Sequence, residues 1–157
     1  MAISASTQRV QNALQEQGID CNVRELEASA RTSQQAADGI GCSVSQIAKS
    51  LVFRGAQSDK AILVIASGSN RVNEARLAEL VGEPIGKADA QFVRRVTGYA
   101  IGGVAPVGHP ETLETYIDSD LFQYDEIWAA AGTPHTVFPL TPADLLRMTG
   151  GLAVSIS

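Results

Sequence analysis

Apolar residues recur along this chain at two spacings, and the alternation between them divides it into short helices and strands. Over residues 6–18 the apolar positions Val10 and Leu14 lie four apart, which predicts a helix capped by Ser6 or Thr7 and ended by Gly18. Residues 21–26 alternate apolar and polar, the period of a half-buried strand. Thr32 or Ser33 opens a short helix through Asp38, stopped at Gly39. Ser43 caps another over residues 44–49, and Ser50 to Arg54 continues as a strand. After the polar turn Gln57-Ser58-Asp59-Lys60, the aliphatic run of residues 61–66 returns as a buried partner, so the two strands predict a hairpin.

The second half repeats the same grammar. Asn73 caps a helix through Val81 with Leu77 and Leu80 inward and Gly82 closing it; Asp89 caps one through Val96 with Phe92, Val93 and Val96 on its buried side. Residues 99–104 are strand-like despite two adjacent glycines. Residues 113–117, 126–131 and 135–138 read as further strands. Thr141-Pro142-Ala143-Asp144 places proline at the first position of a helix that reaches Met148 and stops at Gly150-Gly151, leaving 152–156 as a last strand. Together these predict one α/β domain over residues 1–157, with a mixed, mostly antiparallel sheet flanked by helices.

Composition narrows the class without changing that outline. Of 157 residues, 45% are apolar and 18% charged, which is globular rather than disordered. Two cysteines, Cys21 and Cys42, form no Cys-x-x-Cys and have no nearby histidine. Neither a metal site nor a disulfide framework is expected, and the usage suits a reducing cytoplasm. The longest purely aliphatic run is far below the ~20 residues a membrane span needs, and no secretory signal is visible at the N-terminus. A net charge of −5 argues against wrapping DNA or long RNA, which takes clustered Lys and Arg. It leaves room for a contact with one RNA end, to which Arg71, Arg76, Lys87, Arg94 and Arg95 are candidates beside their plainer role as solvated surface.

Three segments carry candidate chemistry. Lys49, next to an apolar strand, is expensive to bury without a partner, so it is expected to face a cleft and meet an anionic or electron-rich group. Gly102-Gly103, before Val104, Pro106 and Gly108-His109, marks a tight turn or a place where a ligand comes close to free backbone N–H groups. Ala131-Gly132-Thr133-Pro134-His135 leaves a strand through small residues, and His135 can either enter the same space or sit at a hairpin edge. No Gly-x-Ser-x-Gly elbow, phosphate-binding glycine fingerprint or metal-ligand spacing is present. Cys42, ahead of a helix, is a weak candidate nucleophile and a better small core residue.

Taken in order, Gln46-Ile47-Ala48-Lys49-Ser50-Leu51-Val52-Phe53, Thr97-Gly98-Tyr99-Ala100-Ile101-Gly102-Gly103-Val104-Ala105-Pro106-Val107-Gly108-His109 and Trp128-Ala129-Ala130-Ala131-Gly132-Thr133-Pro134-His135 resemble the YbaK/prolyl-tRNA-synthetase-associated editing domain family. The tail from Phe138 to Leu146 is similar as well. The resemblance implies a free-standing hydrolase for the ester of a mischarged aminoacyl-tRNA, acting on a small amino acid. It implies no cofactor, and the tRNA acceptor end as partner, with an aminoacyl-tRNA synthetase as a further one. It places the family's lysine on Lys49 and its glycine loop on Gly102 and Gly103 as the catalytic set, with Ser50, Val104, Gly132, Thr133 and His135 around the substrate. Such an ester is already activated, so water can attack it while backbone N–H groups hold the carbonyl oxygen and a ribose hydroxyl aligns it. Two other readings stay open: a non-catalytic module that binds aminoacyl-tRNA or a synthetase, and a hydrolase of small aminoacyl esters or thioesters.

Overall fold

The computed structural model describes residues 4–20, 22–27 and 32–157. Cys21, at the start of the first expected strand, lies outside them. The helices are α1 (Ala5–Glu16), α2 (Ser33–Ile40), α3 (Glu74–Val81), α4 (Ala90–Thr97) and α5 (Pro142–Thr149). The strands are β1 (Arg24–Glu25), β2 (Ile47–Gly55), β3 (Ala61–Ser67), β4 (Ile85–Lys87), β5 (Glu114–Asp118), β6 (Ile127–Ala130), β7 (Thr136–Leu140) and β8 (Leu152–Val154). They form one mixed sheet in the order β1-β7-β6-β2-β3-β5-β8, with β4 also paired to β2. Four of its pairings are antiparallel and three parallel. This is the α/β domain, mixed and mostly antiparallel, that the pattern predicts. No helix among the described residues is long and apolar enough to cross a membrane.

Alternation along β3 shows how the sheet is covered. Leu63 and Ile65 face one side, where they join Val10 and Leu14 of α1, Val93 of α4 and Leu145 of α5 in the main core. Ile62, Val64 and Ala66 face the other, against Leu77 of α3, Tyr116 and Ile156. A separate cluster on that second side packs Ala36, Ala37 and Ile40 of α2 against Ile47 and Val137. The second side is therefore covered by two helices that stand apart, α2 toward β7 and α3 toward β5.

Helix boundaries follow local chemistry. The side chains of Thr32, Asn73, Asp89 and Thr141 each accept a backbone N–H at a helix start, and α1 is capped by Ser4, ahead of the expected Ser6 or Thr7. Helix α2 extends past Gly39 to Ile40 and ends at Gly41. The helix expected over residues 44–49 does not form. Ser43 and Gln46 close a capping box around a single 3₁₀ turn, Val44–Gln46, and Ile47 already belongs to β2, where pairing with both β3 and β6 outweighs the local helix signal. The strand expected over 99–104 is also absent. Tyr99 is fully buried and donates its hydroxyl to Val107 O (2.7 Å), while the chain turns at Ala100–Gly103. Leu80, expected inward on α3, is 39% exposed, because this eight-residue helix buries only Leu77. Strand β4 is too short, and too interrupted by Gly86, to show in the hydrophobic pattern.

His109 belongs to this scaffold. Its Nε2–H donates to Ala105 O (2.8 Å) and its ring stands edge-on to Tyr99. Burial holds the imidazole's pKa below the ordinary value of 6.5, opposed in part by that hydrogen bond.

Two outcomes follow for stability. Leu77→Ala should cost about 2–5 kcal/mol in urea unfolding, against less than ~1 kcal/mol for Leu80→Ala; equal costs would mean that both leucines are core. For His109 the native state binds fewer protons than the unfolded chain. Its contribution is present above about pH 6.5 and is lost as the pH falls through the depressed value. Unfolding midpoints measured between about pH 7.5 and 5.5 should fall less steeply in His109→Gln than in the wild type.

Candidate functional site

The central strand is paired unevenly along one edge. Its β3 edge is matched from Ala48 to Arg54. On the other edge β6 reaches only Ile47 and Ala48, and β4 joins only at Phe53 to Gly55. Between them β2 lies open. Gly68 N–H donates to Ile47 O (2.8 Å) and Gly55 N–H to Lys60 O (2.9 Å), so the odd-numbered residues of β2 turn their N–H and C=O toward β3 and the even-numbered ones turn theirs the other way. At Ser50 that other way is the open edge. The Ser50 hydroxyl oxygen is buried and also has no hydrogen-bond partner among the described residues. One residue thus presents an unpaired donor, an unpaired acceptor and an unpaired hydroxyl to the same opening.

A cleft of about 280 Å³ occupies this gap. Its walls include Ala36 of α2, Ile47 to Leu51 of β2, Ile101, Gly102 and Val104 of the glycine loop, Trp128 to Ala130 of β6, and Thr133, Pro134 and Thr136. Lys49 and Ser50 point to opposite sides of the sheet. Lys49, with Leu51 and Phe53, rises on the side covered by α2 and α3, in the space those helices leave between them. Ser50 lies on the side of Val104. The cleft passes through the sheet and touches both.

Lys49 is partly buried and donates its Nζ to Asn70 O (2.7 Å). Burial lowers its pKa from 10.5, Arg71 lowers it further, and Asp118 opposes them. Asn70 is itself fixed. Its Nδ2 donates to Asp118 Oδ2 (2.8 Å) and Asp120 Oδ2 (2.7 Å), and Asp118, 1% exposed, also accepts from Ser67 N–H (3.0 Å) and Asp120 N–H (3.0 Å). A buried carboxylate with three donors is a firm anchor, and it sets the loop whose carbonyl accepts the lysine's hydrogen bond. No pattern in the sequence links Asn70 and Asp118, because the connection exists only where β3 ends beside β5.

Of the residues expected at the site, Lys49, Ser50, Gly102, Val104 and Thr133 line the cleft. Gly102 does so in a left-handed conformation (φ +92°) that favours glycine, and no hydrogen bond engages its N–H among the described residues. Gly103, Gly132 and His135 stand off the wall. Gly103 N–H is used up by Ala100 O (3.0 Å), and a Cβ there would lie 2.8 Å from Thr133 Cα, so this glycine lets two loops touch. Gly132 backs onto the start of α1, where a Cβ would lie 2.8 Å from the carbonyl carbon of Ser6. His135 takes the hairpin-edge position, its carbonyl accepting Leu26 N–H (2.7 Å). Pro134, Thr136, Ile101 and Trp128 supply wall in their place. Cys42 is partly buried, and burial raises its thiol pKa, which opposes nucleophilic use.

Comparison with known proteins identifies the family. Residues 27–148 match the model of the aminoacyl-tRNA editing domain. YwhH of Bacillus subtilis, a protein without a characterised activity, is 36% identical over 124 residues, covering 79% of this chain and 78% of its own. EbsC of Enterococcus faecalis, provisionally named a Cys-tRNA(Pro)/Cys-tRNA(Cys) deacylase, is 26% identical over 127 residues, covering 80% of this chain and 77% of its own. The crystal structure of a provisionally assigned trans-editing enzyme for prolyl tRNA synthetase superposes with a TM-score of 0.93 at 45% identity, over 99% of both chains. The chain belongs to the aminoacyl-tRNA editing domain family, in its YbaK and prolyl-tRNA-synthetase-associated branch.

Proposed function

We propose that residues 1–157 act as one editing domain that hydrolyses the ester of a mischarged aminoacyl-tRNA carrying a small amino acid. The observation that carries this reading is Ser50: its N–H and C=O point to an edge of β2 that neither β6 nor β4 reaches, and its Oγ has no partner among the described residues, at a cleft bordered by Lys49. An aminoacyl group needs just such a set: a donor for the ester carbonyl and an acceptor for the α-ammonium.

In this reading the N–H groups of Ser50 and Gly102 face the ester carbonyl. Water adds to the carbonyl carbon, and the negative charge that develops on its oxygen is met by those fixed dipoles. The bond from the carbonyl carbon to the ribose oxygen then breaks, releasing the amino acid and restoring the ribose hydroxyl. The neighbouring ribose hydroxyl aligns the attack. Gly103 takes no part as a donor, since Ala100 O already holds its N–H. Lys49, tied to Asn70 O, keeps two further N–H donors for the RNA terminus and acts as an anchor rather than a base.

The apolar wall of Ala36, Leu51, Ile101, Val104 and Trp128 limits the side chain that fits. Selection by size excludes correctly matched large residues, while each extra methylene changes the rate by ~10–200-fold. A deacylation screen over tRNAs mischarged with Ala, Ser, Thr, Cys and larger residues tests the reading. Release should be fastest for small amino acids, and Lys49→Ala should lower kcat/KM by about 100-fold or more through loss of a charged hydrogen bond at a desolvated site. Binding of every charged tRNA without turnover would replace the enzyme by a non-catalytic recognition module.

A further inference from the structure

Beside the cleft, and sharing Lys49 and Leu51 with it, lies a second and more open groove of about 540 Å³. Its floor is Leu51, Phe53 and Val72, and its rim is Gly68, Ser69, Asn70, Arg71 and Glu74. It occupies the side of the sheet away from Ser50 and Val104, beside the start of α3.

Arg71 is exposed and makes no hydrogen bond, ion pair or ring contact among the described residues. Most of the other described arginines are engaged. Arg54 and Arg147 pair with Asp59 and Asp144. Arg9, Arg24 and Arg76 donate to backbone carbonyls, and Arg95 lies over Phe92. Arg94, also without a partner among the described residues, stands on α4 and lines neither the cleft nor this groove. Arg71 is also presented firmly. The turn that carries it is closed by Asn70 N–H to Ser67 O (2.9 Å), bound to Asp118 and Asp120 through Asn70, and joined to the 3₁₀ turn by Ser45 Oγ and Ser69 Oγ (2.8 Å). An unpaired guanidinium on a fixed turn, next to a lysine with two free donors, is an anion site with bidentate geometry. Glu74 on the rim leaves the groove with one net positive charge when Lys49 and Arg71 are both counted.

We propose that this groove holds the terminal nucleotide of the RNA, with Arg71 clamping the phosphodiester that precedes the terminal adenosine. The inference rests on the deacylase reading and divides the substrate between two compartments. The aminoacyl group enters the apolar cleft at Ser50, the ribose lies at Lys49 where the two spaces meet, and the phosphate lies at Arg71. The apolar floor of Leu51, Phe53 and Val72 receives the nucleoside face.

The test compares two substrates that differ in the phosphate. Wild type, Arg71→Ala and Arg71→Lys are assayed on mischarged tRNA and on the same aminoacyl group attached to free adenosine. Arg71→Ala should lose about tenfold or more in kcat/KM on tRNA, mostly through KM, and change by less than about twofold on aminoacyl-adenosine. Arg71→Lys should recover part of the loss. An equal loss on both substrates, or none on tRNA, overturns the phosphate assignment. A binding arm stands apart from turnover: with uncharged tRNA, Arg71→Ala should reduce the slope of log affinity against log salt by about 0.7, the contribution of one phosphate contact in single-stranded RNA. An unchanged slope overturns the proposal even if the wild type is an active deacylase. A reduced slope with no wild-type turnover keeps the RNA groove and rejects the deacylase.

Discussion

Everything at this site depends on a break in strand pairing. An edge strand with unsatisfied N–H and C=O groups is normally a liability, and proteins cover or blunt it. Here the break lies in the middle of the sheet, where β6 leaves β2 after Ala48 and β4 arrives at Phe53. The opening is too short for another strand and too enclosed for easy aggregation. It still leaves the polar groups of one residue, Ser50, without partners in a largely apolar setting. A buried hydroxyl without a partner costs about 1–3 kcal/mol, and under the proposed function the substrate would supply its complement.

The two faces of β2 then separate two kinds of chemistry. Odd residues carry Lys49, Leu51 and Phe53 to the side where α2 and α3 leave a space; even residues carry Ser50 and Val52 to the glycine loop. A strand that alternates in this way cannot place a lysine and its neighbour on one face. The cleft can use both because it runs through the gap rather than over the surface. Lys49 owes its orientation to the Asn70 carbonyl, and Asn70 owes its own to Asp118. A buried carboxylate at the end of β5 thus sets the position of a charge on β2, through a loop that touches both.

Much of the fold was legible in the pattern of residues. The helix starts at Thr32, Asn73, Asp89 and Thr141 follow from capping chemistry that acts within four residues, and the hairpin of β2 and β3 follows from two apolar runs about a short polar turn. What failed was decided at longer range. Lys49 was expected at the end of a helix because Ser43 and Gln46 form a true capping box, yet pairing of Ile47 with β6 and of Ala48 with both β6 and β3 stops that helix after one turn. The glycine pair was expected in a strand, and the turn closed by Gly103 N–H replaces it. Site residues divide along the same line. Lys49, Ser50 and Gly102 stood in recognisable motifs and reach the cleft. Gly103, Gly132 and His135 share those motifs but support the loops around it, and a motif does not distinguish a wall from its backing.

Size and polarity now press in different directions on the substrate. The wall of Ala36, Ile101, Val104 and Trp128 rewards an apolar side chain small enough to enter, while the unpaired hydroxyl of Ser50 rewards a polar atom within reach. Volume alone discriminates weakly, because a hydrophobic pocket cannot strongly reject an isostere that adds a hydroxyl. A buried hydrogen-bonding group discriminates far more, since the wrong ligand leaves it unsatisfied. Where Ser50 spends its three groups on the ester and ammonium, side-chain choice falls to size and stays permissive. Where the hydroxyl is left over for the side chain, choice turns on a single polar atom. Under the proposed deacylase reading, the residue beside the lysine, rather than the lysine, is therefore where specificity in this cleft would be set.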